Sequence, residues 1–270
     1  MSRVNMDISV KHNTLYRYDG DVSYAIQKMY LSPRPSKSTK VVNWIIESNL
    51  HLIEQVDAFG NIMHIGVVDK QIKELFINVS GSVFVSMPVI KRRVRSAKTS
   101  NKDFGLNYVL KKETWLTKSN KEIETIAKLN YKKKESVESL LLIAECIRNH
   151  VEYKKGVTSV LTTATESWDQ GFGVCQDFAH IMLGACRSLG LPSRYVSGYL
   201  KEDLNASNAT HAWVEIWLGD WVGIDVTNGG LVDDRFLVLA VGLDYLSVAP
   251  IRGVRYGGGV EKMTLNIDIS

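Results

Sequence analysis

The sequence is poor in cysteine: Cys146, Cys175 and Cys186 are the only three in 270 residues. An odd and sparse set argues against a disulfide framework. It fits a reducing compartment, so we expect a cytoplasmic protein. One thiol can still do chemistry, but composition alone does not rank the three.

Long apolar runs are also missing. A membrane-spanning helix needs about 20 mostly apolar residues. The longest apolar stretch here, Leu231 to Val241, is interrupted by Asp233, Asp234 and Arg235. The first twelve residues have no apolar segment of the kind found in signal peptides. We therefore expect no membrane segment.

No acidic cluster has the spacing of a calcium-binding loop, so we expect neither a metal nor a cofactor. The positive charge is concentrated between Pro88 and Lys155, with 17 Lys and Arg against 8 Asp and Glu. Such a block can mark nucleic-acid binding. However, no aromatic residues alternate with Lys91-Arg92-Arg93 as a stacking platform would require. We interpret the block as a linker and solvated helix faces, with no nucleic-acid partner.

What is present is an ordinary globular balance, with 45% hydrophobic and 23% charged residues, enough for a large core. Residues 1–90 alternate in the manner of strands and contain a turn at Asp57 to Asn61, so we predict an N-terminal β-sandwich-like domain. The expected strands are Met6 to Tyr18, Val41 to Ile46, Ile62 to Val68 and Leu75 to Val85. Residues 91–110 read as a basic linker.

Residues 111–270 change from helical to strand periodicity, which predicts an α+β core. The expected helices are Ser119 to Asn130, Ser136 to Val151 and Cys175 to Leu189. The expected strands are Arg194 to Leu200, His211 to Leu218, Trp221 to Val226, Phe236 to Val241 and Val260 to Ile269. Cys146 and Cys186 fall inside helical stretches, and we interpret both as core residues.

Cys175 differs because it follows two glycines at the predicted start of a helix. Free N–H groups and the helix dipole stabilise a thiolate there, and the same N–H groups can donate to an oxyanion. A buried cysteine at a helix start is the plain alternative, and the local sequence does not decide between the two.

A thiol nucleophile needs a base, and six histidines are available. His180 lies about 140° around the predicted helix from Cys175, so we interpret it as a hydrogen-bonded structural residue. His211 opens a strand after a polar loop and can project into a cleft.

An acid that orients His211 is available on the next strand, at Asp225. A turn at Gly219-Asp220 predicts a hairpin in which position 214 faces Asp225. His211 then lies beyond the pairing, so a bulge or a longer route is needed to join the two. A turn-capping role for Asp225 is the alternative.

Four motifs in this order resemble the transglutaminase-like superfamily. They are Gly171-Phe-Gly-Val-Cys175-Gln-Asp-Phe-Ala-His180, Leu189 to Tyr199, His211-Ala-Trp-Val-Glu215 and Asp225-Val-Thr-Asn228. The bacterial group described as transglutaminase-like cysteine proteases is similar almost end to end, including the Asp57 to Asn61 turn, Asp244-Tyr245 and Pro250 to Gly253.

The resemblance implies a papain-like core with Cys175 as nucleophile, His211 as base and acid, and Asp225 as the group that orients His211. It implies acyl transfer on an amide of a protein or peptide through a thioester. Hydrolysis is favoured because small bacterial relatives lack the extra calcium-bearing domains. Val226 stands where the family often has Pro, and Leu243 where Arg is common. These departures concern substrate recognition more than chemistry.

Three aromatic residues are further candidates. The Trp168 indole N–H can help an oxyanion hole, although packing over the helix start is the favoured interpretation. Tyr199 and Trp213 can line the cleft or belong to the core.

Two rival interpretations remain. One is a catalytically inert module that binds protein or peptide. The other is a metal site formed by Cys175, His180 and His211. The sequence leaves the substrate, the acyl acceptor and the oligomeric state open.

Overall fold

The computed structural model describes residues 3–68, 70–88, 108–132, 136–201 and 209–270. The strands are β1 (Arg3–Met29), β2 (Thr39–Ser48), β3 (His51–Val56), β4 (Ile62–Val67), β5 (Ile72–Pro88), β6 (Glu152–Tyr153), β7 (Phe172–Gly173), β8 (Ser193–Leu200), β9 (Thr210–Trp217), β10 (Trp221–Asp225), β11 (Gly230–Leu231), β12 (Phe236–Gly242), β13 (Ile251–Gly257) and β14 (Glu261–Ile269). The helices are α1 (Lys121–Asn130), α2 (Val137–His150), α3 (Ala164–Gln170), α4 (Cys175–Ser188) and α5 (Tyr245–Val248).

The first sheet is built around β1 and has the order β2-β5-β1-β4-β3, with β13 and β14 also paired to β1. Alternation explains β1, since Ile8 and Val10 are buried while Ser9 and Lys11 are exposed. The strand runs on past Tyr18, where the sequence pattern had suggested its end. This confirms the predicted N-terminal β-rich region.

The second sheet has the order β11-β10-β9-β8-β12, with its assigned neighbours antiparallel. Alternate residues of β9, namely Ala212, Val214 and Ile216, share a buried cluster with residues of α1, α2 and α4. Helix α4 lies against β9 of this sheet.

The other side of the second sheet packs against the first. Tyr199, Leu237 and Leu239 form one apolar cluster with residues of β1, β5 and β14. A loop strengthens this junction: the Asn61 amide donates to Val241 O at 2.8 Å and its Oδ1 accepts Val241 N–H at 2.9 Å.

The last two strands depart from the sequence-based assignment. Residues 111–270 were predicted to form one core, but β13 and β14 pair with β1 in the first sheet. The reason is the length of β1, which leaves a second edge for them to pair with, while Ile267 and Ile269 fill the junction between the sheets.

The predicted linker at 91–110 lies almost wholly outside the described residues, which resume at 108. The division of the chain into two domains at this segment stays a prediction. In the described portion of the chain, no helix is both long and apolar enough to cross a membrane.

Candidate active site

The start of α4 positions Cys175. Gly171 ends α3 in the left-handed region at φ 71°, and Val174 is the N-cap of α4. A Cβ on Gly173 would lie 2.6 Å from Asp177 Cβ, so only glycine fits this approach. Cys175 is the first helical residue and is half-buried. Its sulfur therefore lies at the end of the helix that carries unsatisfied N–H groups.

Asp177 fixes this turn and was not singled out from the sequence. Its Oδ2 accepts the Val174 N–H at 2.8 Å and the Thr158 hydroxyl at 2.7 Å. Burial raises the pKa of Asp177 although both hydrogen bonds oppose the shift. An acid at the third helical position was the available signal.

His211 and Asp225 lie together, with Nε2 to Oδ2 at 2.9 Å. The strand register that joins His211 to Asp225 is simpler than predicted. Trp217 pairs with Trp221 and Val214 with Ile224, so the turn contains three residues rather than two. Continuing that register puts Asp225 two positions from His211 on the same face, where side chains can meet diagonally. The bulge expected from a two-residue turn is not needed.

The loop after β10 stabilises the Asp225 carboxylate. Oδ1 accepts the N–H groups of Thr227 and Asn228, and Oδ2 accepts the Asn228 amide at 2.7 Å. Burial opposes ionisation, but hydrogen bonds from His211 and Asn228 lower the pKa of Asp225. The carboxylate is therefore held as an acceptor for the imidazole.

Cys175 is the second group that interacts with the His211 imidazole. Burial favours neutral His211, yet its interactions with Asp225 and Cys175 outweigh burial and raise its pKa to about 10. The arrangement therefore favours a protonated imidazole between an acid and a sulfur. The structure brings together the three residues that the sequence singled out.

His180 takes no part in this arrangement. It is fully buried, and its Nε2 accepts the Tyr245 N–H at 3.1 Å. Burial lowers the pKa of His180 to about 4. A neutral ring that anchors α5 fits the predicted structural role.

Tyr245 is a further residue near the sulfur. Its ring contacts Tyr195 edge-on, with the ring centres 6.3 Å apart. Both Tyr245 and Cys175 pack against the buried cluster that α1, α2 and α4 form with β9. Burial, followed by the charge of Cys175, raises the pKa of Tyr245. The Asp244-Tyr245 motif was noted in the sequence, but its place at the site comes from the anchoring by His180.

The oxyanion role considered for Trp168 is contradicted by the geometry. Its indole N–H donates to Glu122 Oε2 at 2.8 Å, and its ring stacks on His150 at 3.9 Å. The donor is therefore already used. Packing near the helix start, the favoured interpretation, matches its burial.

Neither of the other two aromatic candidates is a cleft wall. Tyr199 is fully buried in the junction between the sheets, and its hydroxyl bonds His12 Nδ1 at 2.7 Å. Trp213 is also fully buried, with its ring stacked on that of His211 at 6.2 Å. Trp213 thus packs against the His211 ring on one side, and its own ring also contacts Phe236.

The two remaining cysteines lie elsewhere. Cys186 is fully buried, and burial raises its pKa to about 12. Cys146 is half-buried and accepts a hydrogen bond from the Asn130 amide at 3.4 Å. Within the part of the chain that the structure describes, no three His, Cys, Asp or Glu side chains could hold a metal ion together.

Two family models match the chain. Residues 124–226 match the transglutaminase-like superfamily, and residues 8–83 match the bacterial transglutaminase-like N-terminal region. An uncharacterised protein of Mycobacterium tuberculosis is 31% identical over 286 residues, covering 97% of this chain and 90% of that protein. A protein-glutamine gamma-glutamyltransferase of Pseudomonas aeruginosa is 31% identical over 106 residues, covering 34% of this chain and 16% of that protein.

A solved structure from Cytophaga hutchinsonii, described as a candidate cysteine protease, has the same fold. The TM-score is 0.79 at 20% identity, and the superposition covers 100% of this chain and 92% of that one. The likeness therefore extends over both sheets.

Proposed function

Because the chain belongs to the transglutaminase-like superfamily, we propose that it is an enzyme that cleaves amides of proteins or peptides through a thioester on Cys175. The observation that carries this proposal is the hydrogen bond of His211 Nε2 to Asp225 Oδ2 at 2.9 Å, with the same imidazole also interacting with Cys175 at the start of α4. A thiol at a helix start with an oriented imidazole is the arrangement that nucleophilic catalysis requires.

In the proposed first step, the Cys175 sulfur attacks the carbonyl carbon and the C–N bond breaks. The imidazolium of His211 gives its proton to the departing amine, which leaves an acyl thioester on Cys175. Asp225 keeps the imidazole oriented and stabilises its charge. The N–H groups at the start of α4 are the donors available to the oxyanion.

In the second step, His211 takes a proton from water as the water attacks the thioester. The C–S bond breaks, the carboxylic acid leaves, and the Cys175 thiolate and the His211 imidazolium of the starting state are restored. We favour water over an amine as the acceptor because the chain resembles the small bacterial members of the superfamily, which lack the extra calcium-bearing domains. The proposal assigns the chemistry to the helices and second sheet, with the first sheet as an accessory domain.

Alkylation tests the proposal within one molecule, because Cys146 and Cys186 serve as internal controls. The protein is treated with iodoacetamide at pH 7, and each cysteine peptide is quantified by mass spectrometry over time. We expect Cys175 to react fastest and the His211→Gln variant to slow it by about 10-fold or more. An unchanged rate in that variant would favour an inert binding module.

Substrate turnover is the second measurement. A library of peptides with free glutamines is incubated with the protein, and released ammonia and new termini are measured with and without an added primary amine. Products that depend on Cys175 and appear without the amine support hydrolysis. Products that require the amine would instead identify transamidation.

A further inference from the structure

Strand β14 leaves one edge uncovered in the ranges that the structure describes. Its other edge pairs with β1 from Tyr18 opposite Glu261 to Val10 opposite Ile269, without a register shift. A long regular edge is a template for another strand. The edge strand β2 differs, since its register against β5 shifts between Val41 and Asn43. Such a bulge hinders further pairing.

The hydrogen bonds to β1 show which groups of β14 point outward. Ser9 and Ser270 exchange two backbone bonds, at 2.8 and 2.9 Å. Hydrogen-bonded pairs recur at every second residue of an antiparallel ladder. The even-numbered residues of β14 therefore bond to β1, and the odd-numbered ones direct N–H and C=O away from it.

Apolar side chains accompany this edge. Met263 is 57% exposed and Leu265 45% exposed, whereas Ile267 and Ile269 on the same face are buried. Exposed apolar groups beside an open edge mark a site of interaction.

We propose that β14 pairs with β14 of a second copy, antiparallel, about a two-fold axis at Leu265. Leu265 then faces its own copy, and Met263 faces the position of Ile267. The odd-numbered residues of both strands supply the hydrogen bonds. A two-fold axis makes every contact occur twice.

Charge selects this register. Lys262 falls opposite the position of Asp268, in a non-hydrogen-bonded pair, where side chains come closest. An axis at Met263 would put Lys262 opposite Thr264. An axis at Ile267 would put Asp268 opposite Asn266. Only the axis at Leu265 joins the opposite charges.

Charge exchange tests both the partner and the register. Sedimentation equilibrium over a range of concentrations should show a dimer. The variants Lys262→Asp and Asp268→Lys should each weaken dimerisation by about 10-fold, because each puts like charges opposite one another twice. The double exchange should restore it. A wild-type monomer at every concentration, or no restoration, overturns the proposal.

A proline variant provides a second test. The Leu265 N–H points away from β1, so Leu265→Pro removes both hydrogen bonds at the axis, one from each copy, without removing one from the β1 ladder. We expect a folded monomer, with the unfolding temperature as the check. A dimer that persists in this variant overturns the proposal. Because Lys11 faces Asp268 and Arg17 faces Lys262 within the chain, the unfolding temperatures of the charge variants are compared too. Amide cleavage is measured separately, so its failure would not affect this result.

Discussion

Two histidines, a buried one in the junction between the sheets and a mostly buried one in the candidate site, have pKa values shifted in opposite directions. His12 bonds the hydroxyls of Tyr199 and Thr14, and burial lowers its pKa to about 4. The His211 side chain is 12% exposed and bonds the Asp225 carboxylate, and its pKa rises to about 10. Burial alone keeps an imidazole neutral, and a buried anion reverses this. The contrast separates a packing histidine from one that can hold a proton for chemistry.

The largest expected effect is the loss of activity when the site histidine, and not the packing histidine, is replaced. His211→Gln removes the proton donor and should lower kcat/KM by about 10⁴-fold on any peptide that the wild type cleaves. The control, His12→Gln, makes the same substitution at a buried histidine outside the candidate site and should stay within a few-fold of wild type. Equal losses in the two folded variants would show that His211 has no special role.

Asp225→Asn should lower the pKa of His211 towards that of His12, because the carboxylate that favours the protonated ring is removed. Loss of the carboxylate should lower kcat/KM by about 10³-fold, since the imidazolium loses its partner. Histidine NMR over a pH series should show that the His211 pKa, about 10 in the wild type, falls in the variant, because burial is then less opposed. An unchanged titration would assign the raised pKa to another group.

The two histidines should affect the free energy of unfolding in opposite pH ranges, His12 at acid pH and His211 at alkaline pH. The pKa of His12 is lower in the folded protein, so the unfolded chain binds its proton first, and stability falls as the pH drops from about 6.5 to 4. His12 alone should contribute about 3 kcal/mol to this loss. The raised pKa of His211 gives the reverse: its stabilisation is complete below about 6.5 and is lost as the pH rises through about 10.

Urea unfolding from pH 4 to 10 measures both sides. His12→Gln should flatten the acid side, and His211→Gln should flatten the alkaline side. Parallel curves for wild type and both variants would contradict the assignment.

The smallest expected effect comes from Asn228, which supports Asp225, and it is compared with the effect of replacing Asp225 itself. Asn228→Ala removes the amide that donates to Asp225 Oδ2, so the carboxylate is less stabilised. A hydrogen bond to a charged group contributes about 1.5–3 kcal/mol, and we expect a loss of about 10-fold in kcat/KM. The His211 titration should move less than in Asp225→Asn. A larger shift in Asn228→Ala would mean that Asn228 does more than support the acid.

Much of the fold followed from local pattern. The helix that begins at Cys175 and the strands β8, β9, β10 and β12 were predicted within one or two residues, because alternation and helix-start signals are local. Strand β3 was missed because its polar residues break the alternation. Helix α3 was missed because seven residues give little periodicity.

The site was predicted less evenly. The order Cys175, His211, Asp225 and the family were readable from motifs, and the family is confirmed. The register error came from counting two turn residues where there are three. The oxyanion interpretation of Trp168 failed because its partner, Glu122, lies 46 residues away in the chain.

By itself, the sequence determined which cysteine stands out, since Cys175 alone begins a helix after two glycines. It also determined the motif order and the strand-rich first region. Only the tertiary structure decided that His211 meets Asp225 diagonally, that His12 stays neutral, and that β14 returns to β1. These depend on contacts between distant segments, such as Val10 with Ile269, whose register is fixed by packing between the sheets and not by local propensity.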